Sequence, residues 1–372
     1  MLNIASIVVV VGLLVPEGAA HPQASKNKPP HLERIVTTKD GTGFSLSPSG
    51  RRFIPWGFNY DHDEEGRLIE DYWDSEWDKI TQDFREMKQL GANVVRIHLQ
   101  LSRFLPVPDV PSGKALLKLR QLLDLAAETG LYVDLTGLGC YHRREVPAWY
   151  DALDEGQRWE IQVRFWEAVA RCCAGHPALW CYDLMNEPVI PGGKVRGKNW
   201  LGPEFGGKCF VQFITLDARG RRREEIGEQW VRTLVSAIRR HDPHTLITVG
   251  LLDGNIERRK FHSGFDPRSL ASYLDFLSLH IYPKSGEIEE AVKRLEEYAV
   301  GKPIVIEEMF PLHCQASELE QFIVQSQRYA SGWIGFYWGK TPAELQRSHE
   351  LTDKFTLAWL ELFQKLGNSL GK

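Results

Sequence analysis

Cysteine is scarce in this chain. Six cysteines occur among 372 residues, at positions 140, 172, 173, 181, 209 and 314. This number is compatible with an oxidising compartment, but it is too low to define a disulfide scaffold in a chain of this length. Their pairing is left open, and Cys140, Cys181 and Cys209 are each compatible with the role of a small buried hydrophobic residue.

Long blocks of like charge are also missing. Lys and Arg together number 45, Asp and Glu number 49, and the formal net charge is −4. Such a balance leaves no electrostatic footprint for nucleic acid or for an anionic membrane surface. We therefore predict no nucleic-acid partner and no membrane partner for the mature chain, and we favour a neutral or small one.

Compact metal-binding motifs are a third absence. No cysteine has zinc spacing, and no His-x-His pair stands at the end of an apolar run. Lone histidines are more often satisfied structural groups than ligands. We predict neither a metal nor a cofactor. A metal-dependent hydrolase stays open as an alternative that would use His62, His98, His142 and His280, and activity that survives strong chelation would exclude it.

The apolar stretch at the N-terminus is too short to span a bilayer. Residues 7–15 are apolar and are followed by the small residues Gly18 and Ala20, as in a secretory signal and its cleavage site. We predict a signal peptide over 1–20, a polar, proline-containing lead over 21–33, and a secreted, periplasmic or extracellular protein. The stretch before the apolar run has no Lys or Arg, so an uncleaved anchor or a misassigned start remains the alternative.

Apolar, strand-like runs alternate with amphipathic, helix-like segments along the rest of the chain. Strands are predicted at 52–59, 92–99, 131–137, 179–185, 245–251, 275–281, 302–308 and 332–338, and helices at 75–91, 113–130, 155–175 and 223–242. The segment after the fifth strand is the weakest helix. Near-continuous apolar strands indicate a parallel sheet covered on both faces. Eight of them predict an α/β fold, a single-domain (β/α)₈ TIM barrel over 34–372 with elaborated loops, with a doubly wound open sheet as the rival.

Polar residues cluster where these strands end, which is where the active sites of such barrels lie. They are Asn59, Arg96, His98, Asn186, Glu187, His280, Tyr282, Glu307, Glu308 and Trp338. In "YDLMNEPV" (182–189), an amide and a carboxyl group follow the fourth strand, and "KPIVIEEMF" (302–310) ends the seventh strand on two carboxyl groups. Two carboxyl groups at one barrel mouth provide what glycoside cleavage needs, one acid to protonate the departing oxygen and one carboxylate to attack carbon.

Six segments of the chain together resemble glycoside hydrolase family 5, the cellulase and β-mannanase family of retaining barrel glycosidases. They are "WGFNY" (56–60), "GANVVRIHL" (91–99), "YDLMNEP" (182–188), "LHIYP" (279–283), "KPIVIEEMF" (302–310) and "GFYWG" (335–339). Their order and spacing are those of the family, and they extend over nearly the whole mature chain. The resemblance implies hydrolysis of a β-linked polysaccharide, oligosaccharide or glycoconjugate by double displacement through a covalent glycosyl-enzyme.

The resemblance also assigns roles to the residues at the strand ends. Glu187 is the expected general acid/base and Glu308 the expected nucleophile, with Glu307 as a supporting group paired with a neighbouring cation. Arg96 and Tyr282 are expected to hold the nucleophile ionised, and Asn186 to donate to the sugar 2-hydroxyl. His280 is expected beside the carboxylates, Trp338 under the sugar ring, and Asn59 as a further supporting residue.

Two departures from the family pattern concern the third and seventh strands. Many members carry a histidine just after the third strand, where this chain has Thr136, with His142 six residues later as a candidate replacement. After the nucleophile, Met309 and Phe310 replace the usual aromatic-glycine pair. These changes bear on the local loops and leave the two carboxyl groups in place.

The loops leave the substrate open. A long insertion at 188–222 contains Trp200, Phe205 and Phe210, and Trp149 with Tyr150 follows the third strand. These aromatics suit either a substrate-binding wall or packing between loops. Which β-glycan is bound, whether cleavage is internal or terminal, and the oligomeric state are not predicted. A non-catalytic glycan-binding relative of the same fold is the remaining alternative.

Overall fold

The computed structural model describes residues 32–192, 199–253 and 263–370. The predicted signal peptide and most of the lead segment lie outside these ranges, so the prediction of export is not addressed by the fold. Residues 193–198 of the predicted insertion lie outside them as well.

Eight parallel strands form a closed barrel, which confirms the predicted (β/α)₈ fold over the open sheet. Around the barrel they are β4 (Trp56–Asn59), β5 (Val94–Gln100), β6 (Tyr132–Gly139), β7 (Leu179–Asn186), β10 (Leu246–Leu252), β11 (Leu277–His280), β12 (Ile304–Glu308) and β13 (Gly332–Phe336). Every residue of β5, β6 and β7 is buried. Burial on both faces is the physical reason for their near-continuous apolar sequences.

A small antiparallel sheet precedes the barrel and was not predicted. It contains β1 (Arg34–Thr37), β2 (Phe44–Ser47) and β3 (Arg52–Phe53). The predicted strand 52–59 is therefore wrong as a single element. Pro55 has no N–H for a ladder hydrogen bond, and the chain changes from one sheet to the other around it. Phe44 packs edge-on against Trp180 and Phe276, at 5.6 and 5.3 Å, so this sheet covers the N-terminal end of the barrel.

Helices cover the outside of the barrel. In the described part of the chain they are α1 (Ile69–Tyr72), α2 (Trp77–Gln89), α3 (Leu101–Phe104), α4 (Gly113–Thr129), α5 (Ala148–Asp151), α6 (Glu155–Cys173), α7 (Arg223–Arg239), α8 (Pro267–Leu270), α9 (Ile288–Glu296), α10 (Ala316–Ser326), α11 (Pro342–Arg347) and α12 (Leu351–Leu370). The four predicted helices correspond to α2, α4, α6 and α7. After β10, where the helical pattern is weakest, the described residues form only the four-residue α8.

Local sequence explains where the long helices begin and end. Ser112 caps α4 because its side chain accepts a hydrogen bond from the Ala115 N–H, and α4 ends at Gly130, which has φ of 78°. Asp154 and Gln157 form a capping box at the start of α6. No helix among residues 32–192, 199–253 and 263–370 has both the length and the apolar character needed to cross a membrane. All six cysteines are free thiols.

The insertion after β7 folds back onto the barrel. Its described part contains β8 (Pro188–Val189) and β9 (Gln212–Phe213), which pair in parallel. Trp200 is fully buried and packs edge-on against Tyr150 at 5.2 Å. These two aromatics therefore serve packing between loops.

Candidate active site

Two glutamates meet at the C-terminal mouth of the barrel. Glu187 directly follows β7, and Glu308 is the last residue of β12. One carboxylate oxygen of Glu187, one carboxylate oxygen of Glu308 and a ring nitrogen of His280 all lie within 4.8 Å of one another. Their side chains are nearly buried, with 12 % of Glu187 and 9 % of Glu308 exposed. The barrel thus brings together two carboxyl groups that are far apart in the sequence.

The backbone of Glu187 is left-handed, with φ of 47°. Non-glycine residues rarely occupy this region, which costs of order 1–3 kcal/mol and is concentrated at functional sites. The Glu187 N–H donates to the carbonyl of Gly250 at 3.0 Å, and the Glu187 carbonyl accepts from the Gln212 N–H at 3.4 Å. Strand β10 and the insertion therefore hold this turn from both sides.

Both carboxylate oxygens of Glu308 accept a hydrogen bond. Arg96 Nη1 donates to Oε1 at 2.7 Å, and the Tyr282 hydroxyl donates to Oε2 at 2.7 Å. Donors of this kind, one of them a cation, stabilise negative charge on a carboxylate. The structure brings Arg96 and Tyr282 to the residue with which the sequence analysis paired them.

His280 lies among three carboxylates. Its Nδ1 is 3.0 Å from Oε1 of Glu187 and 3.4 Å from Oε2 of Glu308, and its Nε2 is 3.4 Å from Oε2 of Glu307. Burial alone would lower the pKa of this imidazole. The charge of Glu308 and the hydrogen bonds to Glu187 and Glu307 outweigh burial and raise the pKa of His280 to about 10. The ring is therefore a cation at neutral pH, with both N–H groups available to the carboxylates.

Glu307 lies inside the barrel. It is fully buried, and its Oε2 is 3.5 Å from Arg96 Nη2 and 3.4 Å from His280 Nε2. Burial would raise the pKa of Glu307, but the charge of Arg96 and the hydrogen bond from His280 lower it to about 2. The sequence analysis expected a cation beside this carboxylate, and the structure places two there.

Arg96 connects the strands at the centre of this cluster. It is fully buried, and beyond Glu308 it donates to Asn59 at 2.9 Å, Asp183 at 2.7 Å and Asn186 at 3.0 Å. Burial opposes its charge, but the carboxylates of Glu307 and Asp183 more than compensate and raise the pKa of Arg96 further. One guanidinium thus fixes side chains from three other strands, β4, β7 and β12.

Asn59 and Asn186 differ in whether a side-chain amide hydrogen remains available to a ligand. Asn59 is fully buried, and its amide donates to the carbonyls of Glu307 and Gly335 at 2.8 and 2.9 Å. Both of its donors are used within the protein, so it positions the ends of β12 and β13. Asn186 donates to the carbonyl of Phe210 at 3.2 Å. Its second amide hydrogen has no partner among the described residues and is available to a ligand.

The sequence analysis missed two buried aspartates beneath the glutamates. Asp183, on β7, accepts hydrogen bonds from Arg96 and from Thr136 Oγ1 at 2.7 and 2.8 Å. Burial and the charge of Glu307 raise the pKa of Asp183 to about 6. Asp134, on β6, is fully buried, and burial with the charge of Glu307 raises its pKa well above the usual range. An acidic residue within an otherwise apolar strand was the signal, present in "YVDL" and "CYDL".

This arrangement of strand-end residues accompanies a family match over most of the chain. The model of the cellulase family, glycosyl hydrolase family 5, matches residues 57–341. The chain belongs to glycoside hydrolase family 5. No curated protein matches the chain in sequence.

Solved structures with the same fold are distant in sequence from this glycoside hydrolase. The exo-β-1,4-mannosidase Op5Man5 from Opitutaceae bacterium strain TAV5 superposes with a TM-score of 0.65 at 17 % identity, over 90 % of this chain and 62 % of that chain. The chain thus spans less than two thirds of the length of Op5Man5. The β-1,4-mannanase of the sea hare Aplysia kurodai has a TM-score of 0.59 at 16 % identity, and the match covers 90 % of this chain and 96 % of the mannanase. A GH5_18 variant from Streptomyces cattleya in complex with Manβ1-4GlcNAc has a TM-score of 0.62 at 15 % identity, and the match covers 86 % of this chain and 80 % of that variant.

Aromatic rings form one side of the site in this family 5 hydrolase. Trp338 is partly exposed and stacks near Phe336 at 5.4 Å and near His62 at 6.0 Å. Phe310, which stands in place of the usual glycine, packs edge-on against Trp338 at 5.1 Å. The indole Nε1 is buried and has no partner among the described residues. Trp338 therefore offers a partly exposed ring to a ligand.

His142, the candidate replacement for the histidine after the third strand, contacts an acidic residue outside the pair of glutamates. His142 Nε2 lies 3.3 Å from Asp71, and no hydrogen bond or ion pair joins it to Glu187 or Glu308 among the described residues. Thr136 occupies the strand position and binds Asp183 instead.

The four histidines of the metal-hydrolase alternative do not share a site. Two groups of described residues have ligand atoms close enough for a metal, namely Glu187, His280 and Glu308, and Asp71, His142 and Glu145. Each group contains a single histidine. In the first group, hydrogen bonds from Arg96 and Tyr282 already occupy Glu308, and the Arg96 charge opposes a second cation.

Proposed function

We propose that this glycoside hydrolase cleaves β-linked glycans with retention of anomeric configuration. The single observation that carries the proposal is the pair of carboxyl groups of Glu187 and Glu308, with oxygens within 4.8 Å of each other beside His280. Retaining glycosidases have carboxyl groups about 5–5.5 Å apart, whereas inverting enzymes separate them by about 6.5–9.5 Å to admit a water molecule.

In the first step, Glu308 attacks the anomeric carbon while Glu187 donates its proton to the departing oxygen. The glycosidic C–O bond breaks as the bond from Glu308 to carbon forms. Arg96 and Tyr282 hold the two oxygens of Glu308 and so orient the nucleophile. The free amide hydrogen of Asn186 is suited to the sugar 2-hydroxyl, a contact that strengthens in an oxocarbenium-like transition state.

In the second step, Glu187 takes a proton from water, and the water oxygen attacks the same carbon and releases Glu308. Glu187 gave its proton to the departing oxygen in the first step, so it is then free to act as the base. Two inversions at one carbon give net retention, and both glutamates return to their starting states.

For the substrate, we propose a β-mannoside. The support is the fold shared with an exo-β-1,4-mannosidase, a β-1,4-mannanase and a GH5_18 variant in complex with Manβ1-4GlcNAc. The partly exposed ring of Trp338 provides a stacking surface that any pyranose can use. Comparison of kcat/KM for aryl β-mannoside, β-glucoside and β-galactoside tests this assignment, because a mannosidase must favour the first.

Proton NMR of the first-formed product tests retention. A β-anomer that appears before mutarotation is the expected result. An α-anomer would refute the retaining mechanism. Binding of a β-glycan without hydrolysis at any pH would instead favour the non-catalytic glycan-binding alternative.

We also propose that the chain is exported, on the pattern of residues 1–20 alone. Expression of the full-length chain and N-terminal sequencing of the material outside the cell test this. A mature N-terminus just after Ala20 is expected, and retention of an intact N-terminus inside the cell would contradict export.

A further inference from the structure

Asp183 is a fully buried carboxylate whose two oxygens are both used inside the protein. Its Oδ2 accepts from Arg96 Nη2 at 2.7 Å and from Thr136 Oγ1 at 2.8 Å. Its Oδ1 accepts from the backbone N–H of Gly250 at 2.7 Å. A side chain without exposed surface, and with hydrogen bonds to the protein on both oxygens, does not contact substrate. Any effect that Asp183 has on the reaction is therefore exerted through these three partners.

The first connection leads through Arg96 to the nucleophile. The guanidinium donates from Nη2 to Asp183 and from Nη1 to Oε1 of Glu308, both at 2.7 Å. Because a guanidinium is planar and its N–H groups form a rigid fork, the direction of one donor fixes the direction of the other. The carboxylate of Asp183 thus sets the orientation of the group that holds Glu308.

The second connection leads through the backbone of β10 to the acid/base. The N–H of Gly250 donates to Asp183, and the carbonyl of Gly250 accepts from the N–H of Glu187 at 3.0 Å. Glu187 has a left-handed backbone with φ of 47°, a conformation that persists only where the surrounding structure holds it. Gly250 is part of that support, and Asp183 holds Gly250 from its other side.

An extra residue in β7 aims two of its side chains at one nitrogen. Asp183 is the partner of Thr248 on β10, but Asn186 is the partner of Gly250, so β7 has one residue more than β10 between these pairs. In a regular strand, residues three apart point to opposite faces. With the extra residue, Asp183 and Asn186 both reach Nη2 of Arg96, at 2.7 and 3.0 Å. Bulges that re-aim a side chain in this way are frequent beside active sites.

The surroundings of Gly250 leave no room for a side chain. A Cβ at this position would lie 2.8 Å from Nε2 of His280, 3.0 Å from Nη2 of Arg96 and 3.0 Å from Oε2 of Glu307. These atoms belong to buried side chains that form ion pairs with one another. The backbone that Asp183 holds is therefore packed directly against the charged groups of the site.

We propose that Asp183 is a positioning residue for both catalytic glutamates, because it holds Arg96 against Glu308 and the backbone of Gly250 against Glu187. The inference rests on the proposed function, since it takes Glu308 as the nucleophile and Glu187 as the acid/base. It deepens that function by naming the group that couples the two. A misplacement of about 1 Å in such groups can cost about 100-fold in rate.

The rate of Asp183→Asn per folded molecule is the first test. A carboxamide has one acceptor oxygen and one donor nitrogen, so a donor must face a donor at either Arg96 or Gly250. We expect kcat for a dinitrophenyl β-mannoside to fall by at least about tenfold, with KM within about threefold of wild type because Asp183 touches no substrate. An alkyl β-mannoside should lose at least as much, since its cleavage needs both glutamates.

Asp242→Asn is the matched control. Asp242 is also a buried aspartate, and it precedes β10 at the N-terminal end of the barrel. It accepts from the Tyr182 hydroxyl at 3.0 Å and from Thr245 Oγ1 at 2.6 Å. Thermal melting gives the folded fraction, and both variants should melt below wild type. The control should keep kcat per folded molecule within about twofold of wild type. Equal losses per folded molecule in both variants, or no loss in Asp183→Asn, would overturn the proposal.

A second pair of variants covers a failure to fold. If Asp183→Asn yields no folded protein, Asp183→Glu and Asp242→Glu take the place of the Asn pair. The added methylene keeps both acceptor oxygens but displaces the same partners in a closely packed interior. The same two outcomes then decide, a loss of kcat per folded molecule in Asp183→Glu alone or its absence.

Hydrogen exchange separates this inference from the proposed function, because it needs no turnover. The amides of Gly250 and Glu187 are followed by NMR in wild type, Asp183→Asn and Asp242→Asn. We expect exchange at both amides to be at least about tenfold faster in Asp183→Asn only, because a lost hydrogen bond lowers the free energy of local opening. If the wild type hydrolyses no β-glycoside but this pattern holds, Asp183 still positions the Glu187 backbone and the proposed reaction fails. Unchanged exchange at Glu187 would contradict the proposal, whatever the activity.

Discussion

Asp134 and Glu307 are two fully buried carboxyl groups of the barrel interior, and each acts on the pKa of the other. Neither oxygen of Asp134, nor Oε1 of Glu307, accepts from an N–H or hydroxyl of a described residue. A hydrogen bond between two carboxyl groups requires a proton. The neighbouring cations lower the pKa of Glu307 to about 2, and burial raises the pKa of Asp134 far above its usual range. We therefore expect Asp134 to be the protonated carboxyl group and to donate to Glu307.

This pair predicts opposite outcomes for two substitutions of Asp134. In Asp134→Asn, the amide replaces the shared proton as donor, and we expect stability within about 1 kcal/mol of wild type. Asp134→Ala leaves a buried acceptor unsatisfied and a cavity behind, and we expect a loss of about 2–4 kcal/mol. Urea unfolding at neutral pH measures both. An Asn variant as unstable as the Ala variant would contradict the shared proton.

The choice between Glu307 and Glu308 as nucleophile has a chemical test. Glu308→Ala should abolish hydrolysis of an activated aryl β-glycoside, and added azide should restore turnover to the inverted glycosyl azide, because a small anion replaces the missing carboxylate. Glu307→Gln should retain measurable hydrolysis but lose stability, since Arg96 and His280 lose a buried counter-charge. Azide rescue of the Glu307 variant instead would exchange the two assignments.

Tyr282→Phe removes one of the two hydrogen bonds that orient Glu308. We expect kcat/KM to decrease by about 10–100-fold, as is usual for a lost hydrogen bond to a charged group. The matched control is Tyr273→Phe, because the Tyr273 hydroxyl donates to Glu228 of the outer helix α7 at 2.8 Å. That variant should retain full activity. A similar loss in both variants would show that the effect is not specific to Glu308.

The charge on His280 makes stability depend on pH. Its pKa rises from 6.5 to about 10 on folding, so its stabilisation is complete below pH 6.5 and is lost as the pH rises towards 10. Glu307 makes stability depend on pH in the acidic range. Its stabilisation is present above pH 4.5 and is lost as the pH falls towards 2. We expect the free energy of unfolding to decrease on the alkaline side, and His280→Gln to flatten this decrease. An unchanged alkaline slope in the variant would assign the effect to other groups.

The barrel and the strand-end residues were predictable because they follow from local patterns. Burial on both faces gives each barrel strand a continuous apolar run, and the C-terminal ends of parallel strands meet at one mouth. Alternation of side chains along β12 separated Glu307 from Glu308, but it did not show which one faces the cleft. The family resemblance supplied that choice, and the structure adds the partners Arg96, His280 and Tyr282, which come from other strands.

The remaining features depend on contacts that no local pattern reveals. Asp134 and Asp183 are visible as acidic residues in apolar strands, but their pairing with Glu307 and Arg96 is a property of the closed barrel. Tyr150 and Trp200 were candidates for a substrate wall, and burial assigns them to loop packing instead. Sequence composition does not distinguish these roles, because an aromatic ring suits a core and a sugar equally well.

The role of Glu187 as acid predicts a dependence on the leaving group. In Glu187→Gln, the side chain keeps its shape but has no proton to donate. Hydrolysis of an alkyl β-glycoside, whose departing oxygen needs protonation, should fall by at least about 10²-fold, the lower end of what general acid catalysis contributes. A dinitrophenyl glycoside releases dinitrophenolate, which is a stable anion without a proton, so formation of the glycosyl-enzyme from it should proceed at nearly the wild-type rate.

The glycosyl-enzyme should then accumulate in Glu187→Gln, because the second step lacks its base. A burst of dinitrophenol followed by slow turnover is the expected signal. Mass spectrometry of the trapped protein should show one added sugar on Glu308. Equal losses for the alkyl and dinitrophenyl substrates, with no burst, would remove Glu187 from the acid role.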